Sequence, residues 1–321
     1  MRRSLNVGLD FGIFQDRLYG TIDFYNDHSS DILFNYSLPQ PPFLNGEVLA
    51  NAADATNSGI EVSLGGAIRK TRNFQWTAQL NISRTRNEIT NLNGQFVGVP
   101  LDITNRHYGF AQGSGQSGAY VSLIQKGYPA GVLSLPVHAG FDASGRELFN
   151  TYDNQGTLTG TALSYTDTDR KFIDPTPNFT WGVTNMFTLG SFDASFLIRG
   201  VQGQKIFANT LLNLQSTVYL PGGNISPDAL TNGFTGQPQP SSLWVQDGSF
   251  ARLQHATIGY QVKGVRGIQQ LRFFCSGTNL FVITSYKGAD PEIIVEGSQR
   301  YIDSNYYPKS RGLVLGIQAT F

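Results

Sequence analysis

The sequence predicts an all-β protein, an antiparallel up-and-down transmembrane β-barrel, and three observations point to it. The last ten residues alternate strictly, with Leu313, Leu315, Ile317, Ala319 and Phe321 apolar and the residues between them small or polar. A strand alternates its side chains between two faces, and about 9–11 residues cross a bilayer when the strand is tilted. Charged residues are only 14% of the chain, against about 25% in soluble proteins. Short turns also alternate with long loops, as they do in outer-membrane barrels.

The first four strands are predicted as two hairpins. Apolar residues alternate with polar or small ones over residues 5–13, 18–25, 60–68 and 74–83, which is the period of a strand with one greasy face. Short turns at 15–16 and 70–73 close the hairpins. A long polar loop that contains several prolines is expected over 26–57.

Five more strands complete the prediction of about nine. They are expected at 178–187, 192–198, 250–260, 271–282 and 312–321. Long loops are expected over 86–177, with small hairpins of its own, 203–245 and 285–311, and short turns near 190 and 265. If long loops are extracellular and short turns periplasmic, the C-terminus at Phe321 lies in the periplasm.

The shared alternation also predicts which residues face lipid. The expected lipid-facing set is Leu5, Val7, Leu9, Phe11, Ile60, Val62, Leu64, Trp76, Leu80, Leu313, Leu315 and Ile317.

Composition excludes several other classes of protein. The formal net charge is zero, so no broad electrostatic attraction to nucleic acid or to anionic lipid is expected, and no nucleic-acid partner is expected. The single cysteine, Cys275, excludes an intrachain disulfide framework. We expect Cys275 to be a small apolar filler in its strand. The basic start lacks an apolar signal segment. A barrel without a signal peptide is unusual, so the chain is expected to be either cytoplasmic or a fragment.

No catalytic, cofactor or metal site is expected. The pattern G-x-G-x-x-G at 113–118 has no surrounding βαβ unit and is interpreted as a flexible loop. Asp167-Thr-Asp169 lacks the later ligands of a cation loop and is interpreted as a turn. The four histidines are scattered, and no serine, histidine and acid set suggests hydrolysis. The chain is therefore not expected to be an enzyme.

Several short stretches resemble one family in order and spacing over nearly the whole chain. They are Arg17-Leu-Tyr-Gly-Thr-Ile-Asp-Phe-Tyr25, Asn57-Ser-Gly-Ile-Glu-Val-Ser-Leu64, Asp174-Pro-Thr-Pro-Asn-Phe-Thr-Trp-Gly182, Val245-Gln-Asp-Gly-Ser-Phe-Ala-Arg-Leu253, Thr257-Ile-Gly-Tyr260, Gly277-Thr-Asn-Leu-Phe281, Gly288-Ala-Asp-Pro-Glu292 and Tyr307-Pro-Lys-Ser-Arg311. Together they are similar to the C-terminal barrel region of SusC/RagA-type TonB-dependent outer-membrane transporters of Bacteroidetes.

The resemblance implies that residues 1–321 form the C-terminal part of a barrel of about 22 strands. The plug domain, the TonB box and the N-terminal strands are absent from this chain. Because the nine strands would put the first and last in the same direction, we expect an open arc with two free edges.

The resemblance also implies a function and partners. The family imports nutrients across the outer membrane, here expected to be oligosaccharides, with a SusD-like surface lipoprotein and a TonB complex that acts through the missing N-terminal parts. Three alternatives remain open: a peptide importer of the same family, a structural or adhesive outer-membrane barrel, and a soluble β-sheet binding module.

Aromatic residues in the predicted external loops are the candidate substrate-binding residues. They are Tyr108, Phe110, Tyr128, Trp244, Tyr286 and Tyr301, with Tyr306 and Tyr307 nearby in sequence. Flat rings with polar neighbours stack on sugars or hold peptides. The alternative is that these rings pack the loops together or lie in an interfacial aromatic girdle. We interpret Asp290-Pro-Glu292 as a structural turn.

Overall fold

The computed structural model describes residues 1–101, 105–265, 267–293 and 297–321. Its main feature is an antiparallel sheet of nine strands in chain order, as the alternation predicted. The strands are β1 (Arg2–Ile13), β2 (Leu18–Ser37), β3 (Glu47–Lys70), β4 (Phe74–Asn91), β5 (Phe179–Leu189), β6 (Phe192–Gln202), β7 (Phe250–Val262), β8 (Gln270–Thr284) and β9 (Gly312–Thr320).

Short and long connections alternate along this sheet. The short ones are 14–17, 71–73, 190–191 and 263–269, and the long ones are 38–46, 92–178, 203–249 and 285–311. Residues 102–104, 266 and 294–296, which belong to three of the predicted connections, lie outside the described residues. The predicted asymmetry between the two ends of the sheet is confirmed.

The prediction of a loop over 26–57 is wrong for most of that range. β2 and β3 stay paired far beyond the predicted strands, with Tyr36 opposite Val48. Tyr36 is buried in a small apolar cluster with Leu38 and Leu101, and this packing holds the polar hairpin extension together. Only 38–46 is a loop, where three prolines remove the N–H groups that a ladder needs.

One row of cross-strand partners shows how the strands are staggered. It runs through Ile13, Leu18, Gly66, Ala78, Asn185, Phe196, Ala256, Gly277 and Leu313. The row starts beside a short turn in β1 and ends at the beginning of β9, beside a long loop. Each strand is therefore displaced in the same direction relative to its neighbour, which is the stagger that tilted barrel strands require.

The register also assigns each residue to a face. All twelve residues of the expected lipid-facing set lie on one face, the apolar face. Many of its side chains are largely exposed, such as Leu5 (58%), Leu9 (60%) and Leu315 (76%). Cys275 also lies exposed on this face, opposite Leu315, so the expectation that it fills a packed position is wrong.

Aromatic rings collect on the apolar face close to the short turns. Trp76 stacks on Phe187 with ring centroids 5.6 Å apart, and Phe192 meets Tyr260 at 4.7 Å. The indole N–H of Trp76 donates to Asn185 Oδ1 over 2.9 Å, which pairs a polar group on this face. Rings at this level are typical of a membrane interface.

The long connections form a second layer, the loop layer, at one end of the sheet. Its strands are Gly94–Phe96, Val99–Leu101, Asn105–Phe110, Tyr120–Gln125, Val132–Pro136, His138–Phe141, Glu147–Tyr152, Leu158–Ala162, Arg170–Ile173, Lys205–Phe207 and Val245–Asp247. Its helical turns are Asn209–Leu214, Asp167–Asp169, Thr217–Tyr219, Pro227–Leu230, Ser242–Trp244 and Gly297–Gln299. None of the helices in the described ranges is long and apolar enough to cross a membrane.

The largest apolar core lies in this layer and not in the sheet. Its fully buried members include Val121, Leu133, Leu135, Phe207 and Ile302. The small hairpins predicted for 86–177 are present and pack into this core. Asp167–Asp169 is the predicted turn, closed by reciprocal hydrogen bonds between Thr166 and Asp169.

Candidate functional site

The polar face of the sheet leads into a cleft beneath the loop layer. The cleft has a volume of about 650 Å³. It is lined by Ser83, Thr85, Pro177, Phe179, Thr180, Gln204, Ile293, Gly297, Arg300 and Tyr301. We call it the wall cleft, because one side is β4 and β5 and the other is loop.

The wall side of the cleft presents hydroxyl groups. Ser83 of β4 and Thr180 of β5 are cross-strand partners, so their side chains lie side by side on the polar face. Thr85 lies one step further along that face and its hydroxyl is 2.8 Å from the Tyr25 hydroxyl. These groups donate and accept hydrogen bonds but carry no charge.

The loop side supplies a ring and a cation. The Arg300 guanidinium lies 5.1 Å from the centre of the Tyr301 ring, within range of a cation–π contact. Tyr301 adopts φ +65°, a conformation that side chains with a Cβ rarely take. Burial raises the pKa of the Tyr301 hydroxyl, while Arg300 opposes the shift. The ring is therefore neutral and held in place by its surroundings.

Two arginines meet on the polar face beside the cleft. Arg199 of β6 and Arg252 of β7 are cross-strand partners, a like-charge pair that would be destabilising on its own. Arg252 Nη2 lies 2.5 Å from Asp290 Oδ1, and Arg199 Nη2 lies 2.5 Å from Glu292. Lys309 Nζ adds a contact of 2.6 Å to Glu292. We call these five residues the anchor, because they fix loop 285–311 to the sheet.

The local sequence of the anchor explains its shape. Asp290 Oδ1 accepts a hydrogen bond from the backbone N–H of Glu292 over 2.9 Å, so the residues around Pro291 form a tight turn. Both carboxylates then reach the sheet. Burial alone would raise the pKa of Glu292, but hydrogen bonds from Arg199 and Lys309 outweigh it and lower the pKa. Asp290-Pro-Glu292 is therefore a structural turn, as predicted.

Three of the predicted site aromatics are buried in packing positions. Trp244 lies in the main core, and its indole N–H donates to the Gln239 carbonyl over 2.9 Å. The Tyr286 hydroxyl donates to Asp303, and burial raises its pKa well above the ordinary value. Tyr301 is buried as well, yet it alone of the six predicted rings lines the wall cleft.

The other three predicted rings lie elsewhere in the loop layer. Tyr108 packs against a separate apolar cluster at the end of β4. Tyr128 is partly exposed and contacts Phe172 with ring centroids 4.6 Å apart. Phe110 is exposed. The six rings therefore belong to different clusters and do not form one surface.

A buried carboxyl in the loop layer, that of Glu147, is strongly perturbed by its surroundings. Glu147 accepts a hydrogen bond from Ser241 and lies 3.0 Å from His138 Nδ1. Its Oε2 atom is buried without a hydrogen-bond partner in the described part of the chain. Burial raises the pKa of Glu147 from 4.5 to about 7, although the Ser241 hydrogen bond opposes the shift. Burial also lowers the pKa of His138.

Comparison with known proteins gives consistent relatives. No protein-family profile matches the chain. The chain is 30% identical to TonB-dependent receptor P3 of Formosa agariphila, over 99% of this chain and 34% of the relative. It is 28% identical to TonB-dependent receptor SusC of Bacteroides thetaiotaomicron, over 98% of this chain and 31% of the relative. The chain thus spans about a third of the length of these relatives.

Solved structures agree in fold. The RagAB peptide transporter matches all of this chain and 35% of its own, with a TM-score of 0.76 at 23% identity. Its open-open state gives a TM-score of 0.77 at 22% identity. The nine-stranded sheet with its attached loop layer therefore has the fold of the matching part of these structures. The sequence relatives are receptors, which confirms the expectation that the chain is not an enzyme.

Proposed function

We propose that this chain, which belongs with the TonB-dependent receptors of the SusC and RagA type over the third of their length that it spans, forms part of the wall of an outer-membrane nutrient importer. The exposed apolar face supports contact with lipid, and the polar face supports contact with a water-filled interior. Residues 1–321 would supply the C-terminal part of the barrel. The plug and the earlier strands would come from sequence outside this chain.

The single observation that carries a binding role is the wall cleft. Its lining combines uncharged hydroxyl groups from the sheet with the Tyr301 ring and one cation from the loop layer. Neutral hydrogen-bonding groups beside an aromatic ring suit the hydroxyls and flat faces of an oligosaccharide. We therefore favour oligosaccharides over peptides. A SusD-like surface lipoprotein would cover the loop layer, and a TonB complex would act through the parts missing here.

Uptake by the full-length receptor tests this role. Thr180→Leu narrows the wall cleft and should lower uptake of a labelled mixture of neutral oligosaccharides several-fold. Thr188→Leu is the matched control, because it lies on the same strand and the same polar face but outside the cleft lining. The control should keep normal uptake and the same abundance in the membrane. Loss of uptake of mixed peptides instead would favour the peptide importer. Equal uptake by both variants would show that the substrate does not pass through the wall cleft.

The orientation in the membrane belongs to the same proposal. The loop layer would face the cell exterior, and the short turns and Phe321 would face the periplasm. Protease added to intact cells should cut within 92–178 or 203–249 and spare 190–191. Cleavage confined to the short turns would invert the orientation. A receptor that binds surfaces through its loops but imports no solute would support the adhesive alternative.

A further inference from the structure

An apolar groove opens on the apolar face of the sheet, close to the first two short turns. Its volume is about 490 Å³ and its surface is mostly apolar. Its lining includes Phe14, Leu18, Leu64, Ala78, Leu80 and Val183. By cross-strand register, Leu18, Leu64, Ala78, Leu80 and Val183 all lie on the apolar face.

Small residues create this groove. Gly66 and Ala78 are cross-strand partners, and the neighbouring pair on the same face is Leu64 and Leu80. Gly66 has no room for a side chain, because a Cβ there would lie 2.5 Å from the Arg17 carbonyl. Larger residues, Leu64, Leu80 and Ile68, stand around the depression. The depression therefore follows from the small side chains at Gly66 and Ala78 and not from the side-chain conformation of a larger residue.

One basic residue lines the groove at the short turns, and three more follow in the sequence at the end of β3 and in the next turn. Arg17 lines it directly, and its carbonyl accepts a 3.0 Å hydrogen bond from Ala67, which fixes the turn against β3. Arg69 lies on the apolar face, opposite Trp76, whereas Lys70 lies on the polar face, opposite Gln75. Arg72 is in the next turn, and all three are exposed. Within the described ranges, none of these four side chains forms a salt bridge.

The one acid in these two turns is directed away from the groove. Asp16 Oδ1 lies against the Cα of Gly12, within 2.2 Å of where a Cβ would be. Gly12 belongs to the polar face, opposite Tyr19. Asp16 therefore does not neutralise the basic charge at this end of the groove. A ligand that suits the site has an anionic group attached to an apolar acyl chain.

We propose that this groove is a binding site for an anionic phospholipid of the membrane leaflet on the short-turn side. One acyl chain fills the groove between Leu64, Leu80 and Val183, and the phosphate of the headgroup lies among Arg17, Arg69 and Arg72. Arginine side chains bind phosphate oxygens with two parallel N–H groups. Since the site faces lipid only if the chain is a membrane wall, it rests on the proposed function.

Native mass spectrometry of the full-length receptor tests this site. The receptor is reconstituted in bilayers of phosphatidylcholine with phosphatidylglycerol as the anionic probe, then released and weighed with its retained lipids. Wild-type protein should retain at least one phosphatidylglycerol. The double variant Arg17→Gln/Arg69→Gln should lower the retained fraction several-fold. Lys263→Gln, a charge removal in a different short turn, is the control and should leave retention unchanged.

A second variant tests the acyl chain separately from the charge. Ala78→Leu fills the groove and should also reduce retention, with all basic residues intact. Equal retention by wild type, the arginine variant and Ala78→Leu would overturn the proposal. Equal retention of phosphatidylcholine and phosphatidylglycerol by the wild type would overturn it too, because the site would then not select an anionic headgroup. Failure of the receptor to insert into bilayers, seen as its absence from vesicles recovered by flotation, would refute the proposed function itself.

Discussion

Leu315 and Gln318 lie close together on β9 but on opposite faces of the sheet. Leu315 is on the apolar face opposite Cys275, and Gln318 is on the polar face opposite Arg272. In a bilayer, Leu315→Arg should cost about 2–4 kcal/mol of unfolding free energy, because a charge near the midplane of the lipid face is poorly solvated. Gln318→Arg should cost much less. Denaturant unfolding of both variants of the full-length receptor from vesicles measures the difference. Equal costs would contradict the assignment of faces.

Glu147 predicts a pH dependence within the loop layer. Its pKa is raised by burial from 4.5 to about 7, so the folded state binds more protons than the unfolded state between these values. Local stability is then fully present below pH 4.5 and is lost as pH rises to about 7. His138 has the opposite sign, since its lowered pKa disfavours folding at low pH.

Hydrogen exchange of the peptides that cover 138–152 measures this dependence. After correction for the intrinsic rate, exchange in wild type should rise with pH by at most about tenfold for each pKa unit. Glu147→Gln removes the carboxyl but keeps His138, so the difference between the two proteins isolates Glu147. A variant with the same pH profile as wild type would show that burial does not perturb this carboxyl.

Individual site residues were the hardest feature to predict. Aromatic rings in loops serve equally as packing or as contact residues, and only tertiary partners separate the two roles. Trp244 and Tyr286 are buried, and their polar groups donate hydrogen bonds to Gln239 and Asp303 respectively. Alternation places Arg199 on the polar face of its strand, but its pairing with Glu292 joins residues far apart in the sequence.

Loop 285–311 depends on the anchor for its position. Asp290→Ala removes the carboxylate that faces Arg252, whose side chain is only 4% exposed. Removing one partner of a buried ion pair costs about 3–5 kcal/mol when the remaining charge has no other partner. Because Glu292 Oε2 still lies 3.6 Å from Arg252 Nε, we expect a cost near the lower end of that range. The matched control is Glu88→Ala, which breaks the exposed pair with Arg86 and should cost about 0–1 kcal/mol. Thermal unfolding and protease sensitivity of the loop compare the two variants. Similar behaviour would mean that the anchor does not hold the loop.

Strands were predictable wherever the two faces meet different surroundings. β9 and residues 60–68 of β3 alternate cleanly, because one face of each strand is apolar and the other is polar. The extension of β2 and β3 towards Ser37 and Glu47 was missed, since both of its faces carry polar residues and the period disappears. There the pairing depends on the hairpin ladder and on the burial of Tyr36.

The stagger of the whole sheet was beyond prediction from alternation alone. Period two assigns faces within a strand, but the displacement between strands depends on turn lengths and bulges. Bulges occur at Ile68 in β3, between Ala67 and Arg69, and at Gln254 in β7, which is the extra residue opposite the consecutive Leu197 and Ile198 of β6. Each shifts the register on one side of the strand. The direction of the resulting tilt is therefore a property of the assembled sheet.

The predicted open arc is confirmed by the strand order, in which β1 and β9 are the two ends of the sheet. With nine antiparallel strands, both end strands run in the same direction, so direct closure would need a parallel pair, which bacterial barrels with even strand numbers avoid. Each edge then carries unpaired N–H and C=O groups, which cost several kcal/mol apiece in hydrocarbon and promote aggregation in water. This chain expressed alone should therefore give neither steady single-channel conductance in planar bilayers nor a monodisperse peak on gel filtration without detergent. Steady conductance, or ladder hydrogen bonds between Arg2–Ile13 and Gly312–Thr320 in a solved structure, would contradict this, because either result requires the two edges to pair with each other.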